Sequence, residues 1–244
     1  GEKLASVKFE DSKKEFTNSY AAKEAKLQLE AKKVLKGKAI EADQFEFELK
    51  EKESDKVVAT AKNDANGKIQ FPKLTLTEEK TYTYTISEKA GDVAGVEYDP
   101  NAYEVTVVVK DNGQGQLVAT PTGAENLTFT NTYKAAPTNA TIKATKKIAG
   151  NKELVADAYT FELKEKDTDK VIATAKNAAS GEVVFNVNYT EAGEHTYTIT
   201  EKAGTESGVT YSKESYTVKV NVVDNGQGQL VATVENANAE RVFT

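Results

Sequence analysis

The sequence contains no cysteine, no methionine and no tryptophan, and it has one histidine among 244 residues. Without cysteine there is neither a disulfide framework nor thiolate chemistry. His195 alone cannot supply a multi-histidine zinc site, and we interpret it as a strand residue because a repeat described below puts it where Tyr82 stands. No apolar run approaches the roughly 18 residues of a membrane span. We therefore expect no cofactor, no metal and no membrane partner.

The charge of the chain is acidic and spread along its length. Its 38 aspartate and glutamate residues outnumber 32 lysine and arginine residues, for a net charge of -6. No basic patch marks a nucleic-acid site, so we expect no nucleic-acid partner. Asp111 and Asn112 suggest a calcium loop, but too few carboxylates follow at ligand spacing. Since no signal peptide or sorting tail is recognisable, we interpret the chain as a mature or excised piece.

The sequence repeats itself with a domain-sized period. "FELKEKESDKVVATAKNDANGKI" from Phe47 returns as "FELKEKDTDKVIATAKNAASGEV" from Phe161, and "DNGQGQLVAT" occurs at 111 and again 113 residues later. This period is far longer than that of a solenoid repeat. We predict a complete repeat over 26–133 and a second over 140–244. The join "TYKAAPTNAT" contains proline and small polar residues, as a short linker does.

Each repeat reads as a series of short strands. Alternating segments such as "TYTYTISE" and "YEVTVVVK" are separated by turn signals such as "NDANG" and "AGDVAG". "DNG" followed by "QG" is typical of a hairpin. Short strands at this spacing, without long segments of helical period, predict an all-β chain of tandem β-sandwiches.

Three predicted strands carry a polar residue on the face that is otherwise apolar. By the two-residue period of a strand, Lys33 falls inward on the first, Glu88 on a middle strand and Asn131 on the last. In the second repeat, Lys146 and Glu201 hold the matching inward positions. The alternative is that each lysine extends its amine to water and each carboxylate lies at a strand end. Recurrence at matched positions in two copies favours burial.

Burying these three groups together makes them reactive. Desolvation favours the neutral, nucleophilic amine of Lys33 and the protonated form of Glu88. The carboxylic acid can then polarise the side-chain carbonyl of Asn131. Attack by the amine and loss of ammonia would leave an amide between Lys33 and Asn131, with positioning supplying most of the acceleration.

The motifs resemble the streptococcal pilin isopeptide-linkage repeat, which belongs with the Cna B-type domains of Gram-positive pilins and surface adhesins. The matching motifs are "KVLKG" and "KKIAG" on the first strand, "YTISE" and "YTITE" in the middle and "FTN" on the last. The resemblance covers nearly all of both repeats. It implies inverse immunoglobulin-like sandwiches, spontaneous Lys–Asn isopeptide bonds and an extracellular, cell-wall-attached stalk or pilus of a Gram-positive bacterium.

Two departures from the family pattern concern the ends of the sequence. The second repeat stops at "VFT", and no asparagine follows Thr244. Residues 1–20 resemble the closing strand segment of a preceding repeat, with Asn18 in the place of Asn131. We expect this segment to dock onto another copy so that Asn18 approaches Lys146. The competing explanation is a longer chain that continues with asparagine.

The sequence therefore predicts a structural segment of a cell-surface pilus or adhesin stalk. Its partners would be neighbouring repeats or copies of itself. The alternative is a ligand-binding adhesin module that recognises a host protein or glycan through the same fold. A turnover enzyme is disfavoured because the lysine and the asparagine are consumed in their own reaction.

Overall fold

The computed structural model describes residues 17–244, and over this range it consists of β-strands and connections without a helix. The all-β prediction is confirmed. Within the same range, nothing helical has the length and apolar character needed to cross a bilayer. Of the predicted closing segment 1–20, only 17–20 are described; they are exposed and form no strand.

Eleven strands belong to the first repeat. They are β1 (Ala25–Leu27), β2 (Glu30–Lys36), β3 (Glu46–Glu51), β4 (Lys56–Lys62), β5 (Lys68–Gln70), β6 (Leu74–Leu76), β7 (Thr81–Glu88), β8 (Val96–Glu97), β9 (Ala102–Asp111), β10 (Leu117–Thr122) and β11 (Thr128–Tyr133). Their sheets have the orders β10-β9-β7-β3-β4, β5-β2-β11-β8 and β1-β6. The opening strand β2 and the closing strand β11 are therefore neighbours in one sheet.

Eight strands belong to the second repeat. They are β12 (Thr138–Lys146), β13 (Thr160–Glu165), β14 (Val171–Lys176), β15 (Glu182–Tyr189), β16 (Gly193–Glu201), β17 (Ser215–Asp224), β18 (Leu230–Val234) and β19 (Val242–Phe243). They form the sheets β14-β13-β16-β17-β18 and β15-β12-β19. Opening strand β12 pairs with closing strand β19 in parallel, with Lys146 opposite Phe243.

The core of each repeat lies between its two main sheets. Strand alternation sends Phe47 of β3 and Phe129 of β11 inward, and their rings lie 5.1 Å apart, with Tyr103 5.0 Å from Phe129. The second repeat places Phe161, Phe243 and Tyr216 in the same arrangement, at 5.1 and 5.0 Å. Aromatic pairs of this kind contribute about 0.5–1.5 kcal/mol beyond the burial of their area. These clusters confirm sandwiches in tandem.

The first predicted strand of the first repeat is interrupted. The alternation over 27–35 predicts one strand, but the structure has β1 and β2, whereas β12 runs unbroken in the second repeat. The cause lies on the partner strand: Pro72 has no N–H for the ladder, and it separates β5 from β6. The side-chain amide of Gln28 donates to the carbonyl of Phe71 (2.9 Å) across this break. The matching strand β15 contains no proline.

The chain divides into two compact units. Of the described residues, one unit comprises those up to Lys33 together with Glu41–Lys89 and Pro100–Phe129, and the other comprises Val34–Ile40, Ala90–Asp99 and Thr130–Thr244. The repeat boundaries 26–133 and 140–244 remain a prediction from the sequence.

Candidate functional site

Lys33 and Glu88 form a buried pair in the first repeat. The Nζ atom of Lys33 on β2 lies 2.6 Å from Oε2 of Glu88 at the end of β7, and neither side chain is exposed to solvent. Glu88 is held opposite Phe47 by the antiparallel register of β3 and β7. The ammonium position lies 4.7 Å from the centre of the Phe45 ring, so aromatic side chains, not water, surround the pair.

Asn131 lies on the closing strand β11 and is completely buried. Its Oδ1 atom accepts a hydrogen bond of 2.8 Å from the backbone N–H of Asp99. The Asp99 carboxylate in turn accepts the N–H of Thr130 at 2.5 Å. Asp99 follows β8, the edge strand beside β11, so this connection fixes which way the carboxamide carbonyl points.

The second repeat contains a matching buried pair. Lys146 Nζ lies 3.0 Å from Oε1 of Glu201, and the lysine side chain is 3% exposed and the glutamate side chain fully buried. The centre of the Tyr159 ring lies 4.6 Å from the amine. Ser212, at the position that Asp99 holds in the first repeat, donates its N–H to Oε2 of Glu201 at 2.7 Å. The backbone N–H at this matching position therefore bonds the Asn131 side-chain carbonyl in the first repeat and the Glu201 carboxylate in the second.

A cavity opens beside Lys146. Its volume is about 550 Å³, and its lining includes Lys146, Tyr159, Tyr211, Ser212 and Thr244. The lysine is reachable from this cavity, although its side chain is almost entirely buried. Within residues 17–244, no group of three or more histidine, aspartate or glutamate side chains is arranged to hold a metal ion.

Four of the predicted site residues form two buried ion pairs. Lys33 meets Glu88, and Lys146 meets Glu201. Asn131 is buried on the strand beside β2. Asn18 is exposed and outside any strand. Sequence reasoning missed the N–H donor of Asp99, because a backbone donor has no characteristic side chain that a motif could reveal.

The chain matches a family model twice. The model describes a Spy0128-like isopeptide-containing domain named FctA, and it matches residues 29–134 and 142–244. No curated protein sequence matches the chain. The first-strand and middle-strand motifs lie within both matched stretches and the "FTN" motif lies within the first, which confirms the resemblance inferred from them.

Several solved structures are similar to this chain. The major pilin T-13 of Streptococcus pyogenes is 15% identical, with 93% of this chain and 96% of that chain covered at a TM-score of 0.33. A single B repeat unit of the collagen-binding surface protein of Staphylococcus aureus is 18% identical, with 86% and 98% covered at 0.26. The Bacillus anthracis TIE protein is 19% identical, with 82% and 32% covered at 0.26. Because the family model spans both repeats and most of the sequence, the chain belongs to the FctA family of Spy0128-like isopeptide-containing domains.

Proposed function

We propose that this chain is a structural segment of a Gram-positive surface pilus or adhesin stalk, fastened by a Lys33–Asn131 isopeptide bond that forms without another enzyme. The observation that carries the proposal is the buried Lys33–Glu88 pair, whose lysine lies on β2, the strand next to the β11 strand that bears the buried Asn131. Membership of an isopeptide-containing family supports it independently.

The first step prepares the nucleophile. At 2.6 Å, a proton can pass from the Lys33 ammonium to the Glu88 carboxylate, giving a neutral amine and a carboxylic acid. In surroundings of phenylalanine rings, two neutral hydrogen-bonded groups cost less to bury than the corresponding ions. The amine lone pair is then available to attack Cγ of Asn131.

The second step forms the bond. As Nζ bonds to Cγ, negative charge develops on Oδ1 of Asn131, the atom that already accepts the N–H of Asp99. A fixed backbone donor at this atom stabilises the oxyanion without reorganisation. Glu88 transfers a proton from Nζ to Nδ2, the Cγ–Nδ2 bond breaks, and ammonia leaves. The amide replaces one amine and one carboxamide, so neither water nor an oxidant is consumed.

Positioning supplies most of the acceleration. Amide exchange is slow in water, but well-oriented groups within one molecule gain about 7–11 kcal/mol relative to free reactants. Burial of both reactants also excludes the water that would hydrolyse the product. The lysine and asparagine are consumed in the reaction, so the protein performs one self-modification and is not a turnover enzyme.

The bond would change how the repeat bears load. It joins the opening strand β2 to the closing strand β11, so tension that enters near one end of the repeat leaves near the other without stretching the strands between. A fibre on the outside of the cell wall, built from neighbouring repeats or copies of this chain, is the setting in which such a bond is useful. The ligand-binding alternative has no specific observation in its favour among the described residues.

Intact-mass measurement tests the proposal. We expect the purified chain to be lighter than its sequence by one ammonia for each bond, and a digest to yield a branched peptide joining Lys33 to Asn131. The Lys33→Ala variant should have the mass of its sequence at this repeat, whereas the matched Lys32→Ala variant of the exposed neighbouring lysine should still lose ammonia. An unmodified wild-type mass, or a branch at Lys32, would overturn the assignment.

A further inference from the structure

The stretch "DNGQGQLVAT" is identical in the two repeats, although most other turns differ between them. The turn "NDANGK" becomes "NAASGE" in the second copy, so turn geometry alone does not require identity. The loop joins β9 to β10 in the first repeat and β17 to β18 in the second. In the second loop, Asp224 accepts the N–H of Gly226 and Asn225 that of Gln227, both at 2.8 Å. These two bonds do not use the N–H of Gly228 or the side-chain amide of Gln229, so both groups can bind a partner.

The second loop binds the hydroxyl group of Tyr133. The hydroxyl of Tyr133 donates to Oδ1 of Asp224 at 2.8 Å and accepts the N–H of Gly228 at 3.1 Å. Tyr133 lies two residues after Asn131 and is 7% exposed. The amine of Lys38 lies 5.0 Å from the centre of the tyrosine ring and donates to the carbonyl of Gly226 at 2.9 Å. All of these residues belong to one compact unit of the chain.

The same loop also binds the backbone that follows the tyrosine. The N–H of Ala136 donates to the carbonyl of Gly228 at 2.8 Å. The side-chain amide of Gln229 donates to the carbonyls of Ala136 (3.1 Å) and Pro137 (2.8 Å). The predicted linker is therefore a hydrogen-bonded segment at these positions.

The first loop repeats these bonds 113 residues earlier in the chain. The hydroxyl of Tyr20, two residues after Asn18, donates to Asp111 at 2.7 Å and accepts the N–H of Gly115 at 2.9 Å. The N–H of Lys23 donates to the carbonyl of Gly115 at 2.9 Å. The Gln116 side chain donates to the carbonyls of Lys23 and Glu24, at 3.2 and 2.8 Å. The tyrosine, backbone and glutamine contacts of the second loop thus each have a counterpart, whereas the contacts of Lys38 are described for the second loop alone.

Gly228 is required by a close approach. Its φ of +79° is unfavourable for other residues, and a Cβ atom there would lie 2.6 Å from the carbonyl carbon of Ala94 and 2.7 Å from the nitrogen of Gly95. The neighbouring Gly226 has a similar φ but no atom within 4 Å of such a Cβ. The backbone of Ala94 and Gly95 therefore packs directly on the loop at Gly228. The carbonyl of Gly95 also accepts the N–H of Lys134 at 2.8 Å.

We propose that the D-N-G-Q-G-Q loop of each repeat is a recognition site whose partner is the segment after the preceding closing asparagine, with the sequence F-T-N-x-Y. The carboxylate and the glycine N–H select a phenol, since phenylalanine would leave both without this partner. The glutamine amide then holds the backbone that enters the next repeat. Because Asn131 and Tyr133 are two residues apart, the residue that would be cross-linked within one repeat is held almost directly to the loop of the next.

Amide hydrogen exchange in the full chain tests this assignment. In Tyr133→Phe we expect the amides of Gly228 and Ala136 to exchange at least tenfold faster, while Gly115 is unchanged. The matched Tyr20→Phe variant should give the reverse pattern, with faster exchange at Gly115 and Lys23. Unchanged exchange at Gly228 in Tyr133→Phe would overturn the proposal. Faster exchange at Gly228 alone, with Ala136 unaffected, would also overturn it, because the tyrosine would then not organise the segment.

A double-mutant cycle separates recognition from loop integrity. Asp224→Asn keeps Oδ1, the atom that accepts both the N–H of Gly226 and the Tyr133 hydroxyl, but removes the negative charge that strengthens the bond to the phenol. The exchange rate of Ala136 is measured in both single variants and in the double variant. We expect the double variant to exchange no faster than Tyr133→Phe alone, since both changes act on the same hydroxyl–Oδ1 interaction and the phenylalanine variant already lacks the hydroxyl. Additive effects would contradict a direct tyrosine–loop contact.

Discussion

The amine of Lys33 lies 2.6 Å from the carboxylate of Glu88, and both side chains are fully shielded from solvent. Taking two charged groups out of water is so unfavourable that apolar residues of similar size are often equally or more stabilising. Yet the pair occurs again as Lys146 and Glu201 in the second repeat. Stability alone does not account for this repetition, whereas the proposed reaction between buried groups would.

Replacing Glu88 should uncouple folding from cross-linking. Glu88→Gln has nearly the same shape but cannot shuttle a proton, an effect typically worth 10²–10⁴-fold in rate. We expect the variant to fold and to lose ammonia at a rate lower by about that factor, followed by mass spectrometry over time. Glu53→Gln, which alters an exposed carboxylate, is the matched control. Equal rates in the two variants would make Glu88 merely structural.

The Asp99 backbone donor should matter independently of the Asp99 side chain. Asp99→Pro removes the N–H that bonds Oδ1 of Asn131, whereas Asp99→Asn keeps it and keeps an acceptor for Thr130. Loss of one oxyanion donor typically slows a reaction about 10²–10³-fold. We expect slow ammonia loss in Asp99→Pro and near-normal loss in Asp99→Asn. Amide spectra of both variants check that the sandwich is intact; a folded Asp99→Pro variant with the normal rate would contradict this role.

Removing the bond should destabilise the first repeat strongly. The segment between Lys33 and Asn131 is on the order of 100 residues, for which cross-link entropy corresponds to about 4.7 kcal/mol. For a domain of this size, that corresponds to a melting temperature lower by roughly 20 °C or more. Asn131→Ala and Lys33→Ala should lose similar amounts in calorimetry, although each also leaves a cavity. A control that keeps the packing but forms the bond far more slowly is Glu88→Gln, measured while its mass is still that of the unmodified chain; equal melting of this variant and the wild type would refute a stabilising cross-link.

Strand alternation was sufficient to predict that three candidate side chains are buried. The two-residue period places Lys33, Glu88 and Asn131 on inward faces, and the structure buries all three side chains. The period works here because each side of a sandwich strand has a fixed environment, so one inward polar residue stands out against apolar neighbours. The all-β fold is confirmed for the same reason.

Other features depend on atoms that a residue pattern does not reveal. The break between β1 and β2 originates on a different strand, where Pro72 interrupts the ladder. The donor to Asn131 is the N–H of Asp99, a group present in almost every residue. The contact of Tyr133 with Asp224 joins residues 91 positions apart, and only the folded chain shows that the phenol and the carboxylate meet.

Alkaline pH should destabilise the first repeat through Tyr84. Burial raises the pKa of Tyr84 from 10 to about 12. The folded state therefore holds the phenol proton more tightly than the unfolded state. The resulting contribution of Tyr84 to the free energy of unfolding is complete below pH 10 and is lost as the pH rises from 10 to 12. We expect the free energy of unfolding to fall over this interval, and to fall less steeply in Tyr84→Phe. Identical slopes in chemical denaturation at several pH values would contradict the assignment.

The last prediction concerns Asn18 and Lys146. Asn18 is exposed, and the lining of the cavity beside Lys146 includes Thr244, the residue after β19. An asparagine from a second copy that enters this cavity would meet an amine already paired with Glu201 at 3.0 Å. The reaction proposed for the first repeat would then link chains head to tail, which requires docking of an extended segment on the sheet edge.

A denaturing gel of the purified chain distinguishes cross-chain bonding from its competitor, in which Lys146 bonds an asparagine beyond Thr244 in a longer chain. We expect a ladder of covalent oligomers that survives boiling and grows with protein concentration, because the reactants come from different molecules. Asn18→Ala and Lys146→Ala should each abolish the ladder. Asn131→Ala should leave it intact, since that asparagine belongs to the first repeat. A single monomer band at every concentration would eliminate the exchange, and a ladder that persists in Asn18→Ala would show that another group makes the link.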